Sequence, residues 1–555
     1  MVAIEVAEVG LRVRLYGLGS VYGKTIRDSR LAVLLVALLT AGLVSVAGAA
    51  TSAAFATPEA RRELAALATT LPALFQGFYG RPLALETLGG IIEWRYPVIL
   101  FLIAPVWSIV ALSATLASEA RRGSLELVLV TPATRRRVAL EKVGGHLTMV
   151  ALIALVVAVA TWFTGAAFAT LPGDAISVQA AFAFGLLTGL LILVPGAIAF
   201  ALAPLLGRGM AAGIAAALMV VAYLVNGFQS AISGVAVFTP LSWYTWVDDH
   251  IPLAGRYDWA SLVPLVLLAA VLLAVGVVAF DRRDVGSTVP FRSPHMPRSL
   301  VGLRGPISRS FSERLPVAMT WGIGIGLYAL VLATSSQSLA DAIHQNPVLD
   351  ELMRNLFPTL DYASPGGVLQ LVFLEFAFLV FGFAAVTIVA GWASDETSGR
   401  LELLLSTPRT RARWAIESGL GAYLSIVVLA LVVAAGIAIG AVAVGGDAIT
   451  PALGMLAPAV FTAALAGVGF AVGGLLRASW AAPAVAFVTL ATFLIDLFVP
   501  ALKLPDSLHE LALSTHLGRP MVGEWDIPGM LLCLGIAAAG LAVGAWGMAR
   551  RDLRS

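Results

Sequence analysis

The chain has 555 residues, 59% of them hydrophobic and only 12% charged, with a mean hydropathy of +0.92 and a formal net charge of +2. Soluble domains carry about 25% charged residues, so this composition excludes a soluble globule, and so small a net charge excludes bulk attraction to nucleic acid. A single cysteine, Cys533, excludes an intrachain disulfide or a thiolate metal cluster, and the six histidines show no metal-ligand spacing.

The first stretch that calls for a chemical reading is GLGSVYGKT at 17–25. A phosphate-cradling loop ends in Gly-Lys-Thr, but it needs a glycine five residues before the last one, follows a strand and opens a helix. Counting back from Gly23 gives Leu18, the preceding residues are the basic LRVRLY, and the following ones enter a long apolar run. Gly23, Lys24 and Thr25 are therefore read as part of a basic segment at a membrane surface.

Apolar runs follow near 31–53, 97–117, 146–169, 179–206, 210–228, 261–280, 318–335, 369–392, 419–444, 451–475, 480–500 and 528–548. A bilayer core of roughly 30 Å takes about 20 apolar residues per helical span, and lipid offers no partner to exposed backbone groups, so the runs predict twelve transmembrane helices. The first run ends in small residues resembling a signal-peptide cleavage site; its long leader, and its partner in the second half, make it a retained span. Arginine and lysine collect in 1–30, 118–142, 281–316, 394–418 and 549–555, while the alternate connections are acidic or balanced. This asymmetry predicts that both termini are cytoplasmic.

An internal repeat gives the strongest signal. ASEARRGSLELVLVTPATRRRVALEK at 117–142 aligns without a gap to ASDETSGRLELLLSTPRTRARWAIES at 393–418. Each copy lies between the second and third span of its half, so the halves are parallel repeats of six spans. The expected layout is an amphipathic leader at 1–30, a first six-helix half at 31–280, a linker with a second surface helix at 281–316, a second half at 317–548 and a tail at 549–555. Within each copy, Thr131-Pro132 and Thr407-Pro408 have the form of an N-cap followed by proline in the first helical position. Gly123 and Gly399 would let the chain break from the preceding span, with Glu126 and Glu402 facing outward. A basic loop anchored to anionic lipid accounts for Arg135 to Arg137 but not for the repeated Glu126/Glu402 and Glu141/Glu417.

The pattern G-x-L-E-L-x-L-x-T-P-x-x-R after a second span resembles the coupling region of ABC-2 type ABC transporter permeases. The two-half layout is similar to the fused branch that exports polyketide antibiotics and other drugs. The resemblance implies an all-α polytopic membrane protein, not an enzyme, that moves drugs, antibiotics or lipids out of the cell. Two separate cytosolic ATPase chains would drive it, with ATP and magnesium bound there and no cofactor in this chain. It implies that Glu119, Gly123, Glu126, Thr131, Pro132 and Arg135 in the first copy, and Asp395, Glu396, Gly399, Glu402, Thr407, Pro408 and Arg411 in the second, meet those ATPases. The first copy has Glu119-Ala120 where the second has Asp395-Glu396, and Arg121-Arg122 is replaced by Thr397-Ser398, so the two faces need not be equivalent. Segment 10–30 would be the family's connecting helix, and 229–260 and 501–527 its partly re-entrant outer segments. Second and fifth spans line the route in this family, so the polar residues Asn226, Glu375 and Asp496 are the pathway candidates; an acid at bilayer depth requires a cavity or partner. A proton-coupled secondary transporter with two six-helix repeats is the alternative, but it calls for a different loop after the second span and more ionisable groups at mid-membrane.

Overall fold

A computed structural model describes residues 20–70, 80–95, 97–115, 134–230, 233–282, 305–345, 350, 364–397, 399–406, 408–501 and 505–551. The chain divides into two compact units, Met1–Pro290 and Phe291–Ser555. The first contains α1 (Val21–Ala54), α2 (Pro58–Thr70), α3 (Leu88–Arg95), α4 (Pro97–Thr115), α5 (Arg135–Ala167), α6 (Val178–Leu206), α7 (Arg208–Phe228) and α8 (Leu262–Arg282). The second contains α9 (Pro306–Gln345), α10 (Glu375–Thr397), α11 (Arg400–Leu405), α12 (Arg411–Ala443), α13 (Leu456–Leu475), α14 (Ala478–Ala501) and α15 (Ile527–Arg550).

The protein is an all-α polytopic membrane protein. Eleven described helices are long and apolar enough to cross a bilayer. At the place of the second expected span stands α4, whose apolar part is described over Leu100–Thr115, where the described residues stop. Of the expected surface segments, 21–30 and 306–316 are continuous with the spans they precede, and 10–19 lie outside the described residues. α1 runs unbroken for 34 residues and α9 for 40, through Pro316. SRSFSERL contains no glycine to break the helix, and Arg309 pairs with Glu313 one turn on at 2.9 Å, so the segment simply extends the apolar helix that follows.

In the first unit α6 is the buried centre, packed on α4, α5, α7 and α8, while α1 lies along α5. In the second, α13 packs on α10, α14 and α15, and α9 lies along α12. Small residues set the closest approach in that unit. On α15, Gly540, Gly544 and Gly547 recur on one face, and a Cβ at Gly540 would sit 2.3 Å from the carbonyl oxygen of Gly467 on α13. Lipid competes equally well for leucine, so such helices gain contact by bringing backbones together.

On the far side from the repeated loop, the first unit is tied by a fully buried ion pair between Arg61 on α2 and Asp174, which lies between α5 and α6. Asp174 also accepts backbone N–H bonds from Leu88 at 2.9 Å, Thr170 at 2.9 Å and Leu171 at 2.8 Å. Arg61 spends its other donors on the carbonyls of Phe55 at 3.0 Å and Glu86 at 3.1 Å. One charge pair thus fixes three connections to one another.

A second internal repeat emerges at this end. Pro252–Ala254 and Pro520–Val522 each form one 3-10 turn, followed by a glycine in the left-handed region, Gly255 at φ +78° and Gly523 at φ +82°. An aspartate three residues further on accepts the N–H three residues ahead of it at the entry to the last helix of its half: Asp258 from Ser261 at 3.3 Å, in the turn before α8, and Asp526 from Gly529 at 3.0 Å, as the cap of α15. The two turns are clasped alike. Glu93 accepts from the N–H of Leu253 at 2.5 Å and Gln370 from that of Met521 at 3.2 Å. One helical turn before each, Gly89 and Gly366 leave room for the Leu253 and Met521 carbonyls.

The clasps differ in the acceptor, a titratable carboxyl against a neutral amide, and in a second N–H, that of Ala254 at 3.2 Å, on Glu93. Burial pushes the Glu93 carboxyl up to about 8 against the N–H groups of Leu253 and Ala254, which pull it down. An acid whose folded pKa exceeds its ordinary 4.5 contributes most at low pH, and stability is lost as pH rises from there through about 8. Glu93→Gln installs the second unit's own solution. The wild-type melting temperature should fall by several degrees between pH 6 and pH 9, and the variant's should stay nearly level. Equal slopes in a thermal-unfolding series would show that Glu93 does not titrate in the clasp.

Candidate functional site: the loop between α10 and α12

In the first copy of the repeated loop, Glu119, Gly123, Glu126, Thr131 and Pro132 lie outside the described residues, as does Thr407 in the second. What is described of the first copy begins at Thr134, whose side chain caps α5 by accepting from Arg137 N–H at 3.3 Å; Arg135 opens the helix. Its counterpart Thr410 caps α12 by accepting from Arg413 N–H at 3.2 Å. The caps therefore stand three residues beyond Thr131 and Thr407, and Pro408 lies in the connection rather than in the first turn. Both threonines of T-P-x-T can cap a helix. In the second copy Glu417 takes Arg413 at 2.9 Å and also Arg409, which stands before the cap, at 2.5 Å; the first copy has Ala133 at that place and the same cap. Were 409–417 helical, those residues would stand about 12 Å apart along the axis, so the pairing requires a turn at 408–410.

The second copy is a helix, a break, a short helix and a second break. α10 ends at Thr397, Gly399 sits at φ +73° where a side chain would be strained, and α11 follows. On α11 only Leu401 is buried; Glu402 and Leu403 are exposed side by side, Leu403 by 76%.

Behind α11 the acids are used internally. Glu396 forms a two-pronged pair with Arg551, one N–H to oxygen distance being 2.7 Å. Arg551 also donates to the Gly474 carbonyl at 2.8 Å and accepts, through its own carbonyl, from Arg411 at 2.7 Å. Asp395 is buried and faces Arg309 of α9 at 3.5 Å. Thus Asp395, Glu396 and Arg411 hold the loop on α9, α13 and α15, and Gly399, Glu402 and Pro408 are exposed. Arg551 and Arg309 contribute to the sequence analysis only through the positive charge of their segments; a bidentate partner for one acid of a repeated loop leaves no local signature.

The copies also diverge at Glu141 and Glu417. Glu141 pairs with Arg137 at 2.9 Å and accepts from the N–H groups of Val21 at 2.9 Å and Tyr22 at 3.2 Å, tying α5 to the start of α1. In the second unit the corresponding helix opens with Pro306, which has no N–H to offer, and Glu417 turns to the arginines. The GLGSVYGKT stretch enters α1 at Val21: Ser20 accepts the Gly23 N–H on its hydroxyl at 3.0 Å and the Lys24 N–H on its carbonyl at 3.0 Å. Those amides are committed to the helix.

The pathway candidates stand apart from the loop. Asn226, near the end of α7, accepts from the Gln229 amide at 3.0 Å on its carbonyl and bonds to Asp248, which with Asp249 holds Arg81. Glu375 opens α10 directly after a π-helical turn at Leu369–Leu374; its side chain is outside the described residues. Asp496 on α14 accepts from the Ser514 hydroxyl and lies 3.4 Å from His509 Nε2. It closes one end of a cleft whose walls are Phe378 and Leu379 of α10, Phe461 of α13, and Thr489, Thr492 and Phe493 of α14.

Comparison with known proteins joins these observations. Residues 22–285 match the family model described as ABC-2 family transporter protein. Residues 303–548 match the model described as the C-terminal domain of the multidrug efflux system permease Rv1217c. Over 533 residues the chain is 26% identical to the multidrug efflux system permease protein Rv1217c of Mycobacterium tuberculosis (strain ATCC 25618 / H37Rv), covering 94% of this chain and 92% of that protein. With the family's features in both halves, and the duplicated loop after the second span of each, the chain belongs to the ABC-2 type transporter permeases.

Proposed function

We propose that the chain is the membrane subunit of an ATP-driven exporter of hydrophobic or amphipathic molecules, worked by two cytosolic ATPase chains docked under the duplicated loops. The observation that carries this reading is α11, which presents Glu402 and Leu403 on an exposed helix braced from behind by Glu396 and Arg551. Work applied there has a stiff path into the membrane. α10 is one helix, and from Thr397 beside the loop to Phe378 beside the Asp496 cleft it extends about 28 Å. Force that crosses the Gly399 break to the end of α10 therefore reaches the cleft wall along one helix. In this reading Glu119, Gly123, Glu126, Thr131, Pro132 and Arg135 serve the first copy as their counterparts serve the second, Asn226, Glu375 and Asp496 border the substrate route, and both termini face the cytosol. ATP and magnesium bind to the partners, whose closure must favour one conformation by several kcal/mol to switch it. The relative's name, a multidrug efflux permease, supports export of more than one drug.

The test uses inverted membrane vesicles holding the full chain with and without its ATPase partner. A lipophilic dye should accumulate only with both the partner and hydrolysable ATP. Accumulation by the chain alone, driven by a proton gradient, would overturn the proposal in favour of secondary transport.

A further inference from the structure

We propose that Arg314 of α9 is a second partner of Asp395, engaged when the repeated loop is driven, so that the two residues form a catch holding the switched conformation. This deepens the export reading and rests on it for the force that moves the loop.

Arg314 is 3% exposed, and only part of its guanidinium is used. Nη1 donates to the Ser310 carbonyl at 2.8 Å and to its hydroxyl at 2.6 Å, while Nε and Nη2 are buried and meet no acceptor among the described residues. Buried donors without an acceptor keep their full desolvation cost. Asp395 has the complementary shortfall. It is 5% exposed, and its partner among the described residues, Arg309, stands 3.5 Å away, beyond the roughly 2.7–3.2 Å of an N–H···O bond. Arg309 also holds Glu313 at 2.9 Å, so the departure of Asp395 would not strand it. The carboxylate can leave one arginine and complete the other.

The helix geometry makes that exchange short. Arg309 faces Asp395, the Arg314 stem passes 3.9 Å from where a Cβ of Gly391 would stand, and Trp321 donates to Thr387 at 2.9 Å, so α9 and α10 run antiparallel. Gly391 and Asp395 are one turn apart on the same face of α10, about 6 Å along its axis. A slide of α10 along α9 by less than that turn, with the reach of the two side chains, brings the carboxylate to Nε and Nη2. Among the described residues the other acid facing Arg314 is Glu313, which Arg309 already engages. Packed helices shift between discrete registers of this kind. A buried ion pair made in one register and not in the other favours the first by its own free energy. Arg314 thus acts on transport through Asp395, as a positioning residue.

The test compares the wild type with Arg314→Met, Asp395→Asn and the double variant. Thermal unfolding is measured on the purified full chain in detergent, without partner or nucleotide. ATP-driven accumulation of a lipophilic dye, with ATP hydrolysis read alongside, is measured in inverted vesicles carrying the ATPase partner. Arg314→Met removes orphaned donors from the resting chain, so its melting temperature should stay level or rise. Dye accumulation should nevertheless fall by at least about tenfold, while hydrolysis continues. Asp395→Asn should lose transport likewise, and the double variant should transport no worse than either single one, because one contact is lost only once. A melting temperature several degrees below wild type for Arg314→Met, transport retained by that variant, or losses that multiply in the double variant would each overturn the proposal. The two readings fail distinguishably: a wild type that accumulates no dye with ATP removes the exporter and the catch with it, whereas ATP-driven accumulation equal in wild type and Arg314→Met removes the catch alone.

Discussion

Asp174→Ala is expected to destabilise the first unit by about 3–5 kcal/mol, because it removes one partner of a buried charge pair and leaves the other buried. Arg61 would keep its charge with only the Phe55 and Glu86 carbonyls and the Thr170 hydroxyl as partners, and the N–H groups of Leu88, Thr170 and Leu171 would lose their shared acceptor. Asp174→Asn keeps a carbonyl but turns an amide N–H toward Arg61, so it should recover little. Burial alone would raise the Asp174 carboxyl, but the Arg61 hydrogen bond and the three backbone N–H groups outweigh it and hold it down at about 2. With a folded pKa below its ordinary 3.8, the group contributes fully above that value, and the contribution disappears as pH falls through about 2. Thermal unfolding in detergent at pH 7 measures the loss; a melting temperature within a degree or two of wild type would mean that the pair is not what fixes these connections.

Reversing both repeated acids, Glu126→Lys with Glu402→Lys, should lower ATP-dependent transport by at least about tenfold. Opposed charges at a docked surface weaken association, and Glu402 stands exposed where it supports no internal contact of α11. Fold and membrane insertion should therefore survive, and the loss should appear as ATPase subunits that no longer co-purify or that hydrolyse ATP without transport. Glu396→Gln is the contrasting variant. It attacks the brace with Arg551, so it should loosen the loop and lower melting temperature as well as transport. Unchanged transport by the double reversal would remove Glu126 and Glu402 from the docking surface.

The helices were legible because bilayer thickness imposes its length on sequence: a run such as 262–282, wholly apolar up to Asp281, has no soluble alternative. The repeated loop was legible because Glu126/Glu402 and their neighbours recur at a constant 276-residue spacing. The second repeat has no such register in the sequence. Gly89 and Glu93 find Gly366 and Gln370 at a spacing of 277, whereas Pro252 and Gly255 find Pro520 and Gly523 at 268, so no single register aligns them. Only the shared clasp on Leu253 and Met521 reveals the correspondence. The helix caps fall on Thr134 and Thr410, the second of two threonines of equal local merit in each copy. The partners of Glu396 and Asp496 likewise come from distant segments, Arg551 from the end of α15, and His509 and Ser514 from the connection before it.

The account depends most on α11 being a cytosolic surface that a motor subunit covers, and a single thiol tests this. Cys533 is buried and is the only cysteine, so Leu403→Cys with Cys533→Ser leaves one exposed reactive site in the chain. A membrane-impermeant maleimide should label that thiol in inverted vesicles and not in intact cells, and addition of the ATPase subunits should protect it. Labelling from outside intact cells, or full labelling with the ATPase bound, would contradict the account.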